Sequence, residues 1–167
     1  MTPESSTRPS LVLWGSPLDK GYRSLVRELR VLAGGKIAIV HRHHAFEHVG
    51  ADEAFECAEA VEVATLFRAR HAALTWFFSH GILGLLPPHL MAEQWSLDAR
   101  EFERAYFEGL GREAVERDLR AARRLGLIDD TSATIRGVPF TGKLTAEALI
   151  AACKKAGEEA TAATGSR

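Results

Sequence analysis

The stretch "LVLWGSPLDKGYRSLVRELRVLAGGKIAIV", residues 11 to 40, constrains the fold more than any other. "SLVLW" reads as a short buried strand, and the polar loop "GSPLD" feeds a helix over about 19 to 33. Gly34 and Gly35 end that helix, and "KIAIVHR" follows as a second, β-branched strand. A strand, a helix and a second strand in this order favour two parallel strands joined by a right-handed crossover. The helix opens within Asp19, Lys20, Gly21 and Tyr22, where unpaired backbone N–H groups and the helix dipole stabilise negative charge.

The middle of the chain reads as helical. "ADEAFECAEAVEVATLFRAR" places Phe55, Ala58, Val61 or Glu62, Thr65 and Leu66 near one stripe, and "HAALTWFF" continues as a second helix. "ALTWFFSHGILGLLPPHLM" is broken by Ser79, His80, Gly81 and Gly84 and ended by Pro87 and Pro88, so it is expected as a buried helix-loop-helix and not a membrane span. In "SLDAREFERAYFEGLG", Asp98 and Glu101 form a capping box, with Leu97 and Phe102 as its hydrophobic staple. "REAVERDLRAARRLG" puts Val115, Leu119 and Ala122 on one face, with Gly126 as the cap.

"TSATIRG" and "VPFTG" then read as a hairpin turning at Arg136 and Gly137, and Thr145 opens a final helix through "AEALIAACKKAGEEA". The predicted order is β-α-β, several helices, then β-β-α. The fold class is therefore α/β, a thioredoxin-like fold with an inserted helical domain. Residues 1–9 are expected as a loose arm and 164–167 as a frayed tail around a single domain at 10–163. Its thioredoxin halves lie at about 10–45 and 126–157, with the insertion at about 50–125.

At this order and spacing the chain resembles the DsbA-like thioredoxin family of disulfide oxidoreductases over about residues 10 to 156. "HRHHAF" resembles the family's "FRHFPL", and "AFECAEAVEVATLFRARHAAL" resembles its alanine-rich helix followed by "FWEMHDALF". "RDLRAARRLGL" and "TIRGVPFTGKLTAEALIAACKKA" resemble its ending, with Gly137 and Gly142 at matching spacing. If Leu25 takes the place of the family's helix leucine, the redox motif Cys-Pro-Tyr-Cys falls on Asp19, Lys20, Gly21 and Tyr22. Counting back from Gly137 puts the family's cis-proline on Thr131. A register making Pro139 that proline leaves too few residues for the strand that must follow.

The resemblance therefore implies a fold whose exchange chemistry has lost its groups. Disulfide exchange needs a thiolate with a lowered pKa and a second thiol to resolve the mixed disulfide, and Asp19 supplies neither. A carboxylate there is expected to cap the helix. A cis bond before Thr131 would cost about 3 kcal/mol, so a trans, reshaped loop is expected. The only two cysteines, Cys57 and Cys153, fall in separate predicted helices and are expected as free, inert core thiols.

The preferred expectation is thus a redox-inactive binding or regulatory module, with no cofactor, acting on a protein or small ligand at the surface near Asp19. An alternative is non-redox chemistry or a small-ligand site built from Asp19 and Tyr22, with Asp129 and Asp130 across from them. A further alternative is metal binding at His41, His43, His44 and His48, although in a strand His41 and His43 share one face while His44 takes the other. His71, His80 and His89 are expected to be capping or buried, hydrogen-bonded histidines.

Twenty-one basic against 22 acidic residues leave a net charge of −1, which gives no footprint for nucleic acid or an anionic membrane. "MTPESSTRPS" has no apolar h-region, so no secretory signal and a cytoplasmic location are expected.

Overall fold

The computed structural model describes residues 10–44, 51–80 and 86–164. The elements run β1 (Ser10–Gly15), α1 (Lys20–Ala33), β2 (Ala38–His43), α2 (Ala51–Leu66), α3 (Arg70–His80), α4 (Pro88–Gln94), α5 (Ala99–Phe107), α6 (Arg112–Arg124), β3 (Ser132–Ile135), β4 (Val138–Pro139) and α7 (Ala146–Thr164).

The four strands form one sheet in the order β2-β1-β3-β4. β1 runs parallel to β2, with Leu13 opposite His41 and Gly15 opposite His43. It runs antiparallel to β3, with Leu13 opposite Ala133, and β3 pairs antiparallel with β4. Strand alternation explains what lies on each side of β1. Leu11 and Leu13 enter the main core with Leu25, Val26 and Leu29 of α1 and Leu149 and Cys153 of α7. Trp14 instead packs with Ala122 and Leu127 in a second cluster, its indole Nε1 donating to Thr134 Oγ1 at 3.3 Å. Both faces of the sheet are covered.

Local signals set most boundaries. Gly34, at φ 52°, adopts the left-handed conformation that ends α1. Asp98 Oδ1 accepts from Glu101 N at 2.9 Å to start α5, and Thr145 Oγ1 accepts from Ala148 N at 3.3 Å to start α7. Arg136 and Gly137 turn the β3–β4 hairpin with φ of 53° and 81°, the pair of positive values that matches the twist of a two-residue hairpin.

Two helical expectations need correction. α2 carries no single apolar stripe, because Cys57, Ala58, Ala60, Val61, Val63 and Ala64 are all buried while Leu66 is 58% exposed. Flanked by α3, α5 and α6, the middle of this helix is buried nearly all round, so periodicity loses its meaning there. The helical run also breaks at 67–69, where Arg68 takes φ 60° and Ala69 N donates back to Ala64 O at 2.8 Å. In α6 the buried residues are Val115, Asp118 and Ala122, with Leu119 only half-buried.

Candidate functional site

The junction between β1 and α1 is closed by its own hydrogen bonds. Asp19, with extended backbone, is the N-cap of α1, and its Oδ1 accepts from Tyr22 N at 2.5 Å. Asp19 N donates to Ser16 O at 3.0 Å, and Leu18 N donates to Ser16 Oγ at 3.2 Å. Arg23 Nη1 reaches back from the first turn to the carbonyls of Pro17 and Leu18 at 3.0 and 2.8 Å. Pro17 is buried and Leu18 packs against the main core, leaving Asp19, Lys20 and Gly21 at the surface.

Tyr22 points the other way. Its ring is buried against Phe78, and its hydroxyl lies 3.1 Å from His41 Nδ1 and 3.4 Å from the Leu13 carbonyl. The approach is close enough that a Cβ on Gly15 would stand 2.5 Å from the tyrosine ring. Burial pushes the phenol above its ordinary range, while burial, followed by Arg30 and Arg70, pushes the His41 imidazolium down to about 3. At neutral pH the pair is therefore a protonated phenol beside a neutral imidazole. Asp19 and Tyr22 do not converge on one point. Asp130 and the Asp129 backbone act instead on buried His44.

Thr131 is half-buried directly before β3, and among the described residues no peptide bond is cis. Ser132, beside it, pairs with Trp14 across the sheet and donates its hydroxyl to Asp129 O at 3.3 Å.

The histidine run is divided among separate tasks. His43 Nε2 lies 2.7 Å from Glu62 Oε1, a carboxylate that also receives Arg70 Nη1. Asp118 Oδ2 accepts from His43 N at 3.1 Å while its Oδ1 accepts from Arg42 Nη1 at 2.7 Å. His48, the fourth candidate ligand, lies outside the described residues. Among the described residues no group of three or more His, Cys, Asp or Glu side chains gathers as a metal site would. Of the capping or buried roles expected for His71, His80 and His89, burial does not hold, since all three are exposed: His80, in the last turn of α3, stacks on Trp76 with its Nδ1 2.8 Å from the Trp76 carbonyl, and His89 Nδ1 lies 3.6 Å from Glu103 Oε1.

No sequence pattern marks Arg70, and Glu62 stands out only as the alternative to Val61 on a helix stripe. Burial opposes ionisation of Glu62, but the His43 hydrogen bond and the charges of Arg70 and His43 outweigh it and hold the carboxyl near 2. Asp118 did leave a signal, since it falls three residues after Val115 on the apolar period of α6. A cleft of about 620 Å³ opens beside β2, lined in part by these three residues and by His41.

No family model and no curated relative matches the chain. Solved structures do. A thiol-disulfide exchange protein from Wolbachia pipientis aligns at a TM-score of 0.69 and 14% identity, over 92% of this chain and 83% of that one. BdbD from Bacillus subtilis aligns at 0.71 and 9% identity, over 91% and 89%. The oxidoreductase DsbA from Xylella fastidiosa aligns at 0.67 and 13% identity, over 90% and 88%. At such identities the likeness shows the fold, a DsbA-like thioredoxin fold.

Proposed function

We propose that this DsbA-like chain is redox-inactive and serves as a non-catalytic binding or regulatory module through the surface around the β1–α1 junction. The observation that carries this reading is the chemistry at the helix start. Asp19 commits its carboxylate to capping α1, and no thiol stands between Gly15 and Tyr22. The only two cysteines lie elsewhere in the main core, both completely buried. Burial pushes both thiols up, which is the opposite of what an attacking thiolate requires. A helix start that keeps its fixed negative charge without sulfur preserves the scaffold while removing the reaction.

The experiment is an insulin-reduction and dithiol-oxidation assay on the full chain and on the Cys57→Ser, Cys153→Ser double variant. The expected result is no turnover above buffer for either protein. Turnover by the wild-type chain, or turnover that survives removal of both thiols, would overturn the reading.

A further inference from the structure

The cleft beside the outer strand β2 has no part in the reading above. It lies between β2, the end of α2, the first turn of α3 and α6, and four arginines line it, Arg42, Arg68, Arg70 and Arg117. Two carboxylates face them, and both are already engaged. Glu62 receives Arg70 and His43, while Asp118 receives Arg42 and the backbone of His43. Arg70 is further fixed by donating Nη2 to the His41 carbonyl at 2.9 Å.

Arg68 and Arg117 are exposed, and neither side chain makes a hydrogen bond or ion pair among the described residues. His71 stands beside them at the start of α3, whose first turn holds no acidic residue. A chain with a net charge of −1 thus concentrates uncompensated positive charge around one concavity, where field lines focus. Ile39, Val40 and Leu74 add an apolar wall.

We propose that this cleft binds a small organic anion, with a phosphate monoester or carboxylate head and an apolar body. Arg68 and Arg117 take the head, Arg42 and Arg70 form the fixed positive wall, and Ile39 and Leu74 take the body. Guanidinium suits this task because its planar donor fork matches both anions. The cleft volume falls in the range of small-molecule sites, about 300–1,000 Å³. This inference does not rest on redox inactivity, so its failure leaves that reading standing and the reverse also holds.

The test is calorimetric titration of the full chain with phenyl phosphate, benzoate, inorganic phosphate and benzyl alcohol, with methyl chemical shifts of Ile39 and Leu74 as a second readout. The expected result is saturable binding of phenyl phosphate or benzoate that shifts those methyls, with inorganic phosphate weaker and benzyl alcohol silent. Arg68→Gln and Arg117→Gln are each expected to weaken binding about tenfold, the loss typical of one charge-assisted hydrogen bond. Arg27→Gln, on the exposed side of α1, is expected to leave binding unchanged. Absence of binding by both aryl anions, or binding that the Arg68→Gln, Arg117→Gln double variant retains in full, would overturn the proposal. Because both side chains are exposed and unpaired, circular dichroism is expected to confirm that the variants fold.

Discussion

Replacing Glu62 by Gln removes the charge that holds the outer strand to the helical insertion. The side chain is 12% exposed, and it faces His43, which is 4% exposed, together with Arg70. Its carboxyl is lowered to about 2 despite burial, against about 4.3 for a glutamate in the unfolded chain. At about 1.4 kcal/mol per pH unit, this favours the ionised folded state by about 3 kcal/mol relative to the unfolded chain. A glutamine carbonyl still accepts one hydrogen bond, which restores about 1 kcal/mol, so the expected net loss at pH 7 is about 2 kcal/mol. With a urea slope of about 2 kcal/mol per molar, the unfolding midpoint followed by circular dichroism falls by about 1 M. The sign of the pH dependence is fixed by the lowered folded value. The stabilisation is complete above the unfolded value of about 4.3 and is lost as pH falls toward about 2, so wild type and variant converge over that window. A loss at pH 7 within about 0.5 kcal/mol, as exposed substitutions give, or a difference that stays constant down to pH 2, would refute this account of the cluster.

Asp19→Ala is expected to cost about 1 kcal/mol, read as a lowered thermal midpoint, because it deletes the acceptor for Tyr22 N at the start of α1. Gly111→Ala is expected to cost about 1–3 kcal/mol in the same denaturation assay. Its Cβ would stand 2.5 Å from the Glu59 carbonyl and 3.1 Å from Val63 N, and backbone of α2 cannot yield without parting from α6. Tyr22→Phe is expected to cost about 1 kcal/mol in urea unfolding, since it leaves the His41 Nδ1 site without its hydroxyl partner.

What the sequence disclosed was mostly local. Asp19, Asp98 and Thr145 announce helix starts because a side-chain oxygen caps backbone three residues away. Arg136 and Gly137 announce the hairpin because the turn needs two positive φ values between extended runs. The helix α2 shows no readable period because its middle, 57–64, is enclosed by other helices while both of its ends are exposed, and its end at Arg68 lacks the usual glycine. The charge cluster was hidden for a different reason: Glu62, Arg70, His43 and Asp118 meet only after the sheet and the insertion pack together. Tyr22 and Asp19, three residues apart, read as a possible pair, yet helix geometry sends the ring into the core and the carboxylate back onto the chain.

The central claim, a thioredoxin-like scaffold without exchange chemistry, is tested most directly by incubating the native chain with glutathione disulfide and following its intact mass. The expected result is no glutathione adduct and no loss of two hydrogens on the native protein, while the urea-unfolded chain, with Cys57 and Cys153 exposed, becomes modified. Rapid adduct formation on the folded protein, at a rate matching or exceeding that of the unfolded chain, would contradict it.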